Sequence, residues 1–391
     1  MNDMAQIAGP DRARGIEAVT LAEAAGSEQA RTLTPALVEA LWSSGLMQYM
    51  NPREAGGSEP AMAELIDTWL EMARQDGSFG WIGIANLPSA CFAAAYMSEE
   101  GFAEVFTAND NRVTLGGQFF PNGMGQAVEG GYRVSGAWQF GSGTGHSEYV
   151  CAGFLPMDGE EMRMGDGGMP AMTVAVVPRS EVEFTDGWHV QGLKGTGSYN
   201  YELKDVFVPE HRTYPLLSRK PQRGGTLYNF GVMALTGAGH AAWALGVSRS
   251  AIDDVVALAK EKVRMGEESS VANKLTFQRD LAHHEAMWRA AYQLVQHSYT
   301  EKEQQLAAGA ELTPAMRADM RIAATFATEA SREIVQFAHL AAGTSAIREG
   351  SRLERSFRDM YTGTQHAFIS EKTYTEAAKF MLGLIEDSPA L

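Results

Sequence analysis

The side chain best suited to chemistry near the end of this chain is a single imidazole, His366. It stands in a short polar loop, and no carboxylate occurs between Asp359 and Glu371. With an unperturbed pKa of about 6.5, an imidazole can deprotonate a phenol or an amine near neutrality, or donate a hydrogen bond. We therefore predict a catalytic role for His366. The alternative is a histidine that caps the following helix or lies exposed.

A second candidate is Ser142, which follows an aromatic pair in a glycine-rich turn at residues 138–146. Glycine on both sides of the serine would leave its hydroxyl free to meet a bound molecule. The plain alternative is a hydroxyl that satisfies backbone groups of the turn. Strand alternation would put Trp138 and Phe140 on one face, so they could wall a site, while at least one could be sheet core.

The elements that must position these side chains change type twice along the chain. Helical periodicity at both ends encloses a central stretch that alternates and is rich in glycine and valine. Helices, a small sheet or barrel, and helices again form an unusual α+β multidomain order. We predict an all-α domain over residues 1–110, a central β domain over residues 111–225 and a helical bundle over residues 226–391.

Composition narrows the function further. The net charge of −16 disfavours nucleic acid and anionic membranes as partners. Only two cysteines occur, Cys91 and Cys151, which disfavours a disulfide framework and fits a reducing cytoplasm. Residues 1–15 lack the apolar core of a signal peptide, and we see no membrane-spanning run. The expected location is the cytoplasm.

One pair of histidines could suggest a metal, but the spacing argues against it. His283 and His284 are adjacent, with Glu285 next to them. Neighbouring residues on a helix point in different directions, and no histidine follows at the i, i+4 spacing of a helical zinc site. We predict no metal site.

The order of elements resembles the acyl-CoA dehydrogenase fold, and the resemblance covers almost the whole chain. Residues 130–138 are similar to the glycine-rich hairpin that leads into a flavin-contacting tryptophan, and residues 203–211 to the strand that leaves the β domain. Residues 277–278 match a Phe-Gln pair of the dimer-forming helix, and residues 354–359 the Glu-Arg and Arg-Asp landmarks. Many dehydrogenases carry their catalytic carboxylate some eight residues further on, where this chain has His366.

Other motifs resemble the flavin-dependent monooxygenase branch of this superfamily. Residues 138–143 match its Trp-x-Phe-x-Ser-Gly motif, and residues 195–198, residues 73–78 and His366 are also similar to it. The resemblance implies the oxygenase component of a two-component hydroxylase. Such a protein receives reduced flavin, FMNH2 or FADH2, from a separate NAD(P)H-flavin reductase and uses O2 through a C4a-hydroperoxyflavin. It also implies a homotetramer and a small aromatic or polycyclic substrate.

The resemblance assigns expected roles to individual residues. Ser142 would accept a hydrogen bond from flavin N5–H, and His366 would act as a base or as a donor to the distal peroxide oxygen. The alternatives to cofactor contacts are structural. Charged side chains at the end of a helix more often form a solvent-exposed face, and Gly343 could simply end a helix. The expected cofactor contacts are Trp138, Phe140, Ser142, Lys262, Arg264, Gln278, Gly343 and Thr344. The expected substrate contacts are Trp81, Asn86, Phe120 and Tyr199.

Two departures keep alternative functions open. Residues 261–266 differ from the motif that precedes the Phe-Gln helix in dehydrogenases, and residues 80–89 lack the histidine frequent in phenol hydroxylases. The alternatives are an acyl-CoA dehydrogenase with a relocated base such as Glu371, and a relative that oxygenates nitrogen or sulfur.

Overall fold

A computed structural model describes residues 7–165, 168–185, 187–388 and 391. The first part is helical, and its central helix α5 is buried almost throughout. Asp76 caps the start of α5 by accepting a hydrogen bond from the Phe79 amide at 3.0 Å. The helices are α1 (Gly9–Gly15), α2 (Glu17–Ala30), α3 (Pro35–Ser43), α4 (Met62–Gln75), α5 (Gly77–Tyr96) and α6 (Glu99–Val105).

A single sheet follows, in the order β6-β7-β2-β1-β3-β5-β8, with β4 paired to β3. β1 and β3 pair in parallel and the other neighbours are antiparallel. The predicted hairpin around Gly130 joins β1 to β2. The strands are β1 (Leu115–Val128), β2 (Gly131–Gly141), β3 (Tyr149–Asp158), β4 (Glu161–Met162), β5 (Thr173–Pro178), β6 (Glu183–Thr185), β7 (Tyr199–Pro209) and β8 (Thr213–Pro215).

The last part is helical again, which confirms the predicted order of helices, sheet and helices. Its elements are α7 (Gly231–Glu261), α8 (Leu275–Ala307), α9 (Pro314–Ala342), α10 (Arg352–Gly363) and α11 (Lys372–Met381). The predicted domain limits at residues 110 and 225 stay predictions.

Helix α7 forms the centre of the molecule and packs against α4, α5 and α9. By length and composition alone the segment Thr226–Glu261 could cross a membrane, but 89% of its most apolar window is buried inside the protein. Its apolar character is therefore that of a core helix.

Buried charges fasten α10, which leads into the His366 loop, to the first helical part. Arg355 Nη1 lies 3.4 Å from Asp76 Oδ2, and Arg358 Nη1 lies 3.0 Å from Glu28 Oε1. The Leu193 amide donates to Asp359 Oδ1 at 2.6 Å. Burial, and then the neighbouring Asp76, raises the pKa of Asp359 to about 8. A network of ion pairs with little exposure to solvent thus holds the start of the His366 loop in place.

Candidate active site

His366 lies among aromatic rings that come from separate helices. Its ring centroid is 4.4 Å from that of His240 on α7 and 5.9 Å from that of Trp81 on α5. Trp81 also meets His240 at 5.2 Å and Trp243 edge-on at 5.0 Å. Phe368 stacks on His240 at 6.0 Å. We call these five residues the ring cluster.

The hydrogen bond to His366 defines which of its nitrogens carries the proton. The Phe368 amide donates to His366 Nδ1 at 3.2 Å. A nitrogen that accepts a hydrogen bond has no proton of its own, so the neutral ring is protonated at Nε2. In this tautomer His366 offers a donor, not a base, to whatever lies next to Nε2.

Both histidines are held neutral at physiological pH. Burial, and then the positive charge of Arg321, lowers the pKa of His366 to about 4. Burial also lowers the pKa of His240 well below its usual value, and His366 and Arg321 add to the shift. The ring cluster is therefore a buried group of aromatic rings with uncharged imidazoles.

Trp81 connects His366 to the second predicted catalytic residue. Its indole Nε1 donates to Ser142 Oγ at 3.0 Å, and Ser142 Oγ lies 2.9 Å from Ser198 Oγ. The serine is half-buried. The structure thus brings Ser142 and His366 into contact with one tryptophan, and their catalytic roles stay predictions. Tyr199 lies beside them, because it pairs with Gly141 in the sheet.

Phe140 points out of the sheet, contrary to the predicted alternation. It has a positive φ of 61°, and the pairing of β2 with β7 shifts register between Trp138 and Gly141. The shift leaves the Phe140 ring 59% exposed, with the edge of Trp188 6.3 Å away. The prediction that Trp138 and Phe140 share a face is therefore wrong.

Trp138 belongs to the interior of the sheet. Its ring is fully buried and stacks on Tyr201 at 5.3 Å, and its Nε1 donates to the Gly153 carbonyl at 2.9 Å. No ring face is left for a cofactor, so the structure contradicts the predicted contact of Trp138. Trp138 is part of the sheet core, which was the alternative to a cofactor contact.

Asn86 has a structural role as well. Its Nδ2 donates to the Leu115 carbonyl at 2.5 Å and to Ser147 Oγ at 3.1 Å. The side chain is 1% exposed and ties α5 to the start of β1 and to the turn after Ser142. The predicted substrate contact of Asn86 is therefore wrong. Phe120 is exposed on β1, where no described contact links it to the ring cluster.

Two predicted phosphate contacts instead hold the end of α9. Lys262 Nζ donates to the Ala342 carbonyl at 2.6 Å and to Ser345 Oγ at 2.8 Å. Arg264 Nη2 donates to the Ala341 carbonyl at 3.0 Å. Cations at the C-terminus of a helix satisfy its free carbonyls and its dipole.

The structure also places Gly343 and Thr344 at this end of α9, next to Lys262. Gly343 has a positive φ of 55°, as a residue that ends a helix often does. Gln278 is exposed on the first turn of α8, and its amide donates to the Ala272 carbonyl at 2.9 Å. The roles of Lys262, Arg264, Gln278, Gly343 and Thr344 toward a cofactor stay predictions.

Sequence reasoning missed His240, Trp243 and Phe368. His240 is a lone histidine in an apolar helix, a pattern typical of a buried histidine whose hydrogen bonds are satisfied in the core. Its place in the candidate site is visible only in the structure, where α7 approaches the His366 loop. The alternative base Glu371 is exposed at the start of α11. Burial and Arg321 lower the pKa values of both His240 and His366, and His366 also lowers that of His240.

Comparisons with known proteins agree with this geometry. The family described as "Acyl-CoA dehydrogenase, C-terminal domain" matches residues 238–371. An indole-3-acetate monooxygenase of Pseudomonas putida is 26% identical over 91% of this chain and 89% of its own length. The oxygenase component of an FADH(2)-dependent resorcinol hydroxylase from a Rhizobium species is 29% identical over 98% of both chains.

The fold is that of solved oxygenases. The crystal structure of a 3-HSA hydroxylase from a Rhodococcus species superimposes with a TM-score of 0.89, 24% identity and full coverage of both chains. The predicted acyl-CoA dehydrogenase-like fold, and the resemblance to its monooxygenase branch, are confirmed.

Proposed function

From the premise that this chain is a flavin-dependent monooxygenase with the acyl-CoA dehydrogenase fold, we propose that it hydroxylates a small aromatic substrate, with His366 as a hydrogen-bond donor and Ser142 as the flavin contact. It works as an oxygenase component and takes reduced flavin from a separate NAD(P)H-flavin reductase. The observation that carries this proposal is the contact of both Ser142 and a neutral His366 with the same tryptophan, Trp81.

The residues present fit a flavin. The exposed Phe140 ring, with Trp188 perpendicular to it, offers an apolar surface, and Ser142 offers a hydroxyl two residues away. When bound, reduced flavin supplies the two electrons with which one atom of O2 enters the substrate and the other leaves as water. The flavin is FMNH2 or FADH2.

His366 serves this reaction through the proton at Nε2. Because Nδ1 is occupied by the Phe368 amide, the ring is aligned and its donor is fixed. A neutral imidazole can donate a hydrogen bond from Nε2 to an oxygen atom that gains negative charge during the reaction, and it keeps its proton while doing so. The pKa near 4 keeps this donor uncharged over the whole physiological range.

The ring cluster favours an aromatic substrate. Trp81 and Trp243 are already arranged edge to face, and a planar ring extends such packing favourably. The relatives named above act on indole-3-acetate and resorcinol, which are aromatic. An acyl-CoA dehydrogenase needs a carboxylate base, and the candidate Glu371 is exposed to solvent.

The deciding experiment supplies chemically reduced flavin and ¹⁸O2 without any reductase, and offers indoles and phenols as substrates. We expect a hydroxylated product that carries ¹⁸O, in an amount limited by the flavin added. An acyl-CoA that bleaches the oxidised enzyme anaerobically, with no labelled product from any aromatic compound, would establish the dehydrogenase alternative instead.

We place the enzyme in the cytoplasm, where a reductase can deliver flavin. Cys91 and Cys151 are both free and buried, as in proteins of reducing compartments.

We also propose that the working enzyme is a homotetramer, with an interface near the end of α9. Val263, Met265, Leu340 and Ile347 are exposed apolar side chains there. Lys262 and Arg264 donate hydrogen bonds to carbonyls at the end of α9. These bonds hold the segment of Val263 and Met265 close to the segment of Leu340 and Ile347. Apolar surface of this kind marks an interaction site, and a second subunit would bring its flavin phosphate to Lys262, Arg264, Gly343 and Thr344.

Charges at this surface are expected to dissociate the assembly. In a Met265→Glu/Leu340→Glu variant, two like charges would be buried at the interface, so sedimentation velocity should show a shift from tetramer to smaller species. Met164→Glu, at an exposed methionine of the β domain, is the matched control and should stay tetrameric. A tetramer that persists in the double variant would place the interface elsewhere.

A further inference from the structure

Ser142 is the first of three hydroxyls joined in a chain of hydrogen bonds. Trp81 Nε1 donates to Ser142 Oγ at 3.0 Å, and Ser142 Oγ lies 2.9 Å from Ser198 Oγ. Ser198 Oγ lies 2.6 Å from Thr196 Oγ1, which donates to the Leu193 carbonyl at 2.9 Å. The chain therefore runs between an indole N–H and a backbone carbonyl.

The two ends of the chain determine the direction of every bond in it. An indole N–H can only donate and a carbonyl can only accept, and each hydroxyl has one hydrogen. The three hydroxyl hydrogens must serve three bonds, so Thr196 donates to Leu193, Ser198 to Thr196 and Ser142 to Ser198. Thr196 and Ser198 are 0% and 1% exposed, so water does not compete for these bonds.

This direction of the hydrogen bonds leaves Ser142 with no hydrogen to donate to a bound molecule and with one free lone pair that can accept. It is thus an acceptor only. Reduced flavin carries a hydrogen at N5, whereas oxidised flavin presents a lone pair there. An acceptor at this place favours the first form and repels the second.

We infer that Thr196 and Ser198 are positioning residues that fix Ser142 as an acceptor and so make the site select reduced over oxidised flavin. The inference rests on the proposed function, since it requires flavin N5 beside Ser142. It adds to that function a reason why the protein takes up flavin after, and not before, its reduction by a partner.

The test measures the dissociation constants of oxidised and anaerobically reduced flavin for each variant, a readout that needs no turnover. In Ser198→Ala, Ser142 loses its acceptor and can turn its hydrogen toward N5. In Thr196→Val, Ser198 can donate back to Ser142, with the same effect. We expect the preference for reduced flavin to fall about tenfold in both, the size of one hydrogen bond.

Two variants serve as controls. Thr196→Ser keeps the hydroxyl and should keep the preference. Ser89→Ala removes another buried hydroxyl of α5, bonded to the Ala85 carbonyl and outside the chain, and should change nothing. If Thr196 had only a structural role, Thr196→Val would weaken the binding of oxidised and reduced flavin alike. Thr196→Ser would then not selectively restore the preference for reduced flavin.

A measurement on the protein without flavin tests the chain directly. The indole N–H resonance of Trp81, identified with Trp81→Phe, should move upfield in Ser198→Ala and Thr196→Val, because the chain of mutually polarised bonds is broken. If variants that still bind flavin keep both the Trp81 indole N–H resonance and the preference for reduced flavin unchanged, the inference is overturned while the proposed function stands. Wild-type protein that binds neither flavin form would overturn the proposed function and the inference with it.

Discussion

Replacing His366 by alanine is expected to lower product formation by about 100-fold or more, while reduced flavin binds as before. The imidazole lies among Trp81, His240 and Phe368, so its removal takes the hydrogen-bond donor from the ring cluster and leaves the flavin contact at Ser142 intact. Oxygen would then be released mainly as hydrogen peroxide. The measurement is the ratio of hydroxylated product to peroxide, with reduced flavin and substrate both saturating.

Further variants distinguish a donor from a base. Glutamine at this position keeps an N–H but is not basic, so His366→Gln should recover part of the product if the residue donates, and none if it deprotonates. His297→Ala, at an exposed histidine of α8, is the matched control. Unchanged product formation in His366→Ala would remove this residue from the mechanism.

The pH dependence follows from the low pKa of His366. The pKa is lowered to about 4, so the ring becomes charged only as the pH falls toward that value. A loss of activity centred near the ordinary histidine pKa of about 6.5 should therefore be absent from the wild-type profile, unless another group causes it. If such a loss occurs and disappears in His366→Gln, the imidazole is more exposed in the working enzyme than its burial here indicates.

Local signals in the sequence were enough to predict the elements around the site. Alternation in the central stretch predicted a sheet, and residues 130–138 predicted a glycine-rich hairpin. The structure has the hairpin of β1 and β2 around Gly130, and β3 and β7 lie in the same stretch. The turn at Ser142 was predictable for the same reason, since glycine on both sides determines its shape.

The errors arose where the backbone departs from its usual pattern or where distant elements meet. Phe140 takes a positive φ that few non-glycine residues adopt, and this reverses the faces of β2. Asn86 looked like a polar residue in a substrate helix, but its partners lie at Leu115 and Ser147. His240 enters the site only through the packing of α7 against the His366 loop, a contact between segments far apart in the sequence.

The Arg-Asp landmark shows that a recognised motif can have a role other than catalysis. Arg355, Arg358 and Asp359 do not contact the ring cluster in any described interaction. They pair with Asp76, Glu28 and the Leu193 amide, and so join α10 to α5, α2 and the turn before β7. The space for Asp359 exists because residue 77 is glycine, where an added Cβ would lie 2.4 Å from Asp359 Oδ2. The motif positions the loop that carries His366.

Removing one arginine from this network should cost more stability than almost any surface change. In Arg355→Met the buried carboxylate of Asp76 loses its partner at 3.4 Å, and an uncompensated buried charge costs about 3 to 5 kcal/mol. Urea unfolding near pH 8 measures this loss as a fall in the free energy of unfolding. Arg133→Met breaks an exposed pair with Asp205 and should cost no more than about 1 kcal/mol.

The same substitution should cost less in mild acid, and the sign follows from proton binding. Burial raises the pKa values of Asp76 and Asp359 in the folded protein, that of Asp359 to about 8, so between about pH 4 and about pH 8 the folded state binds more protons at Asp359 than the unfolded state, and Asp76 acts in the same direction. Stability contributed by these groups therefore falls as the pH rises through this window. Arg355 is the main group that lowers the pKa of Asp76, so its loss raises that pKa and steepens the fall. As the pH falls toward the acid range, the folded protein takes up protons at these two carboxyls, so the variant should lie closer to wild type near pH 5 than near pH 8. An equal loss at both pH values would mean that Arg355 stabilises α10 by packing and not by its charge.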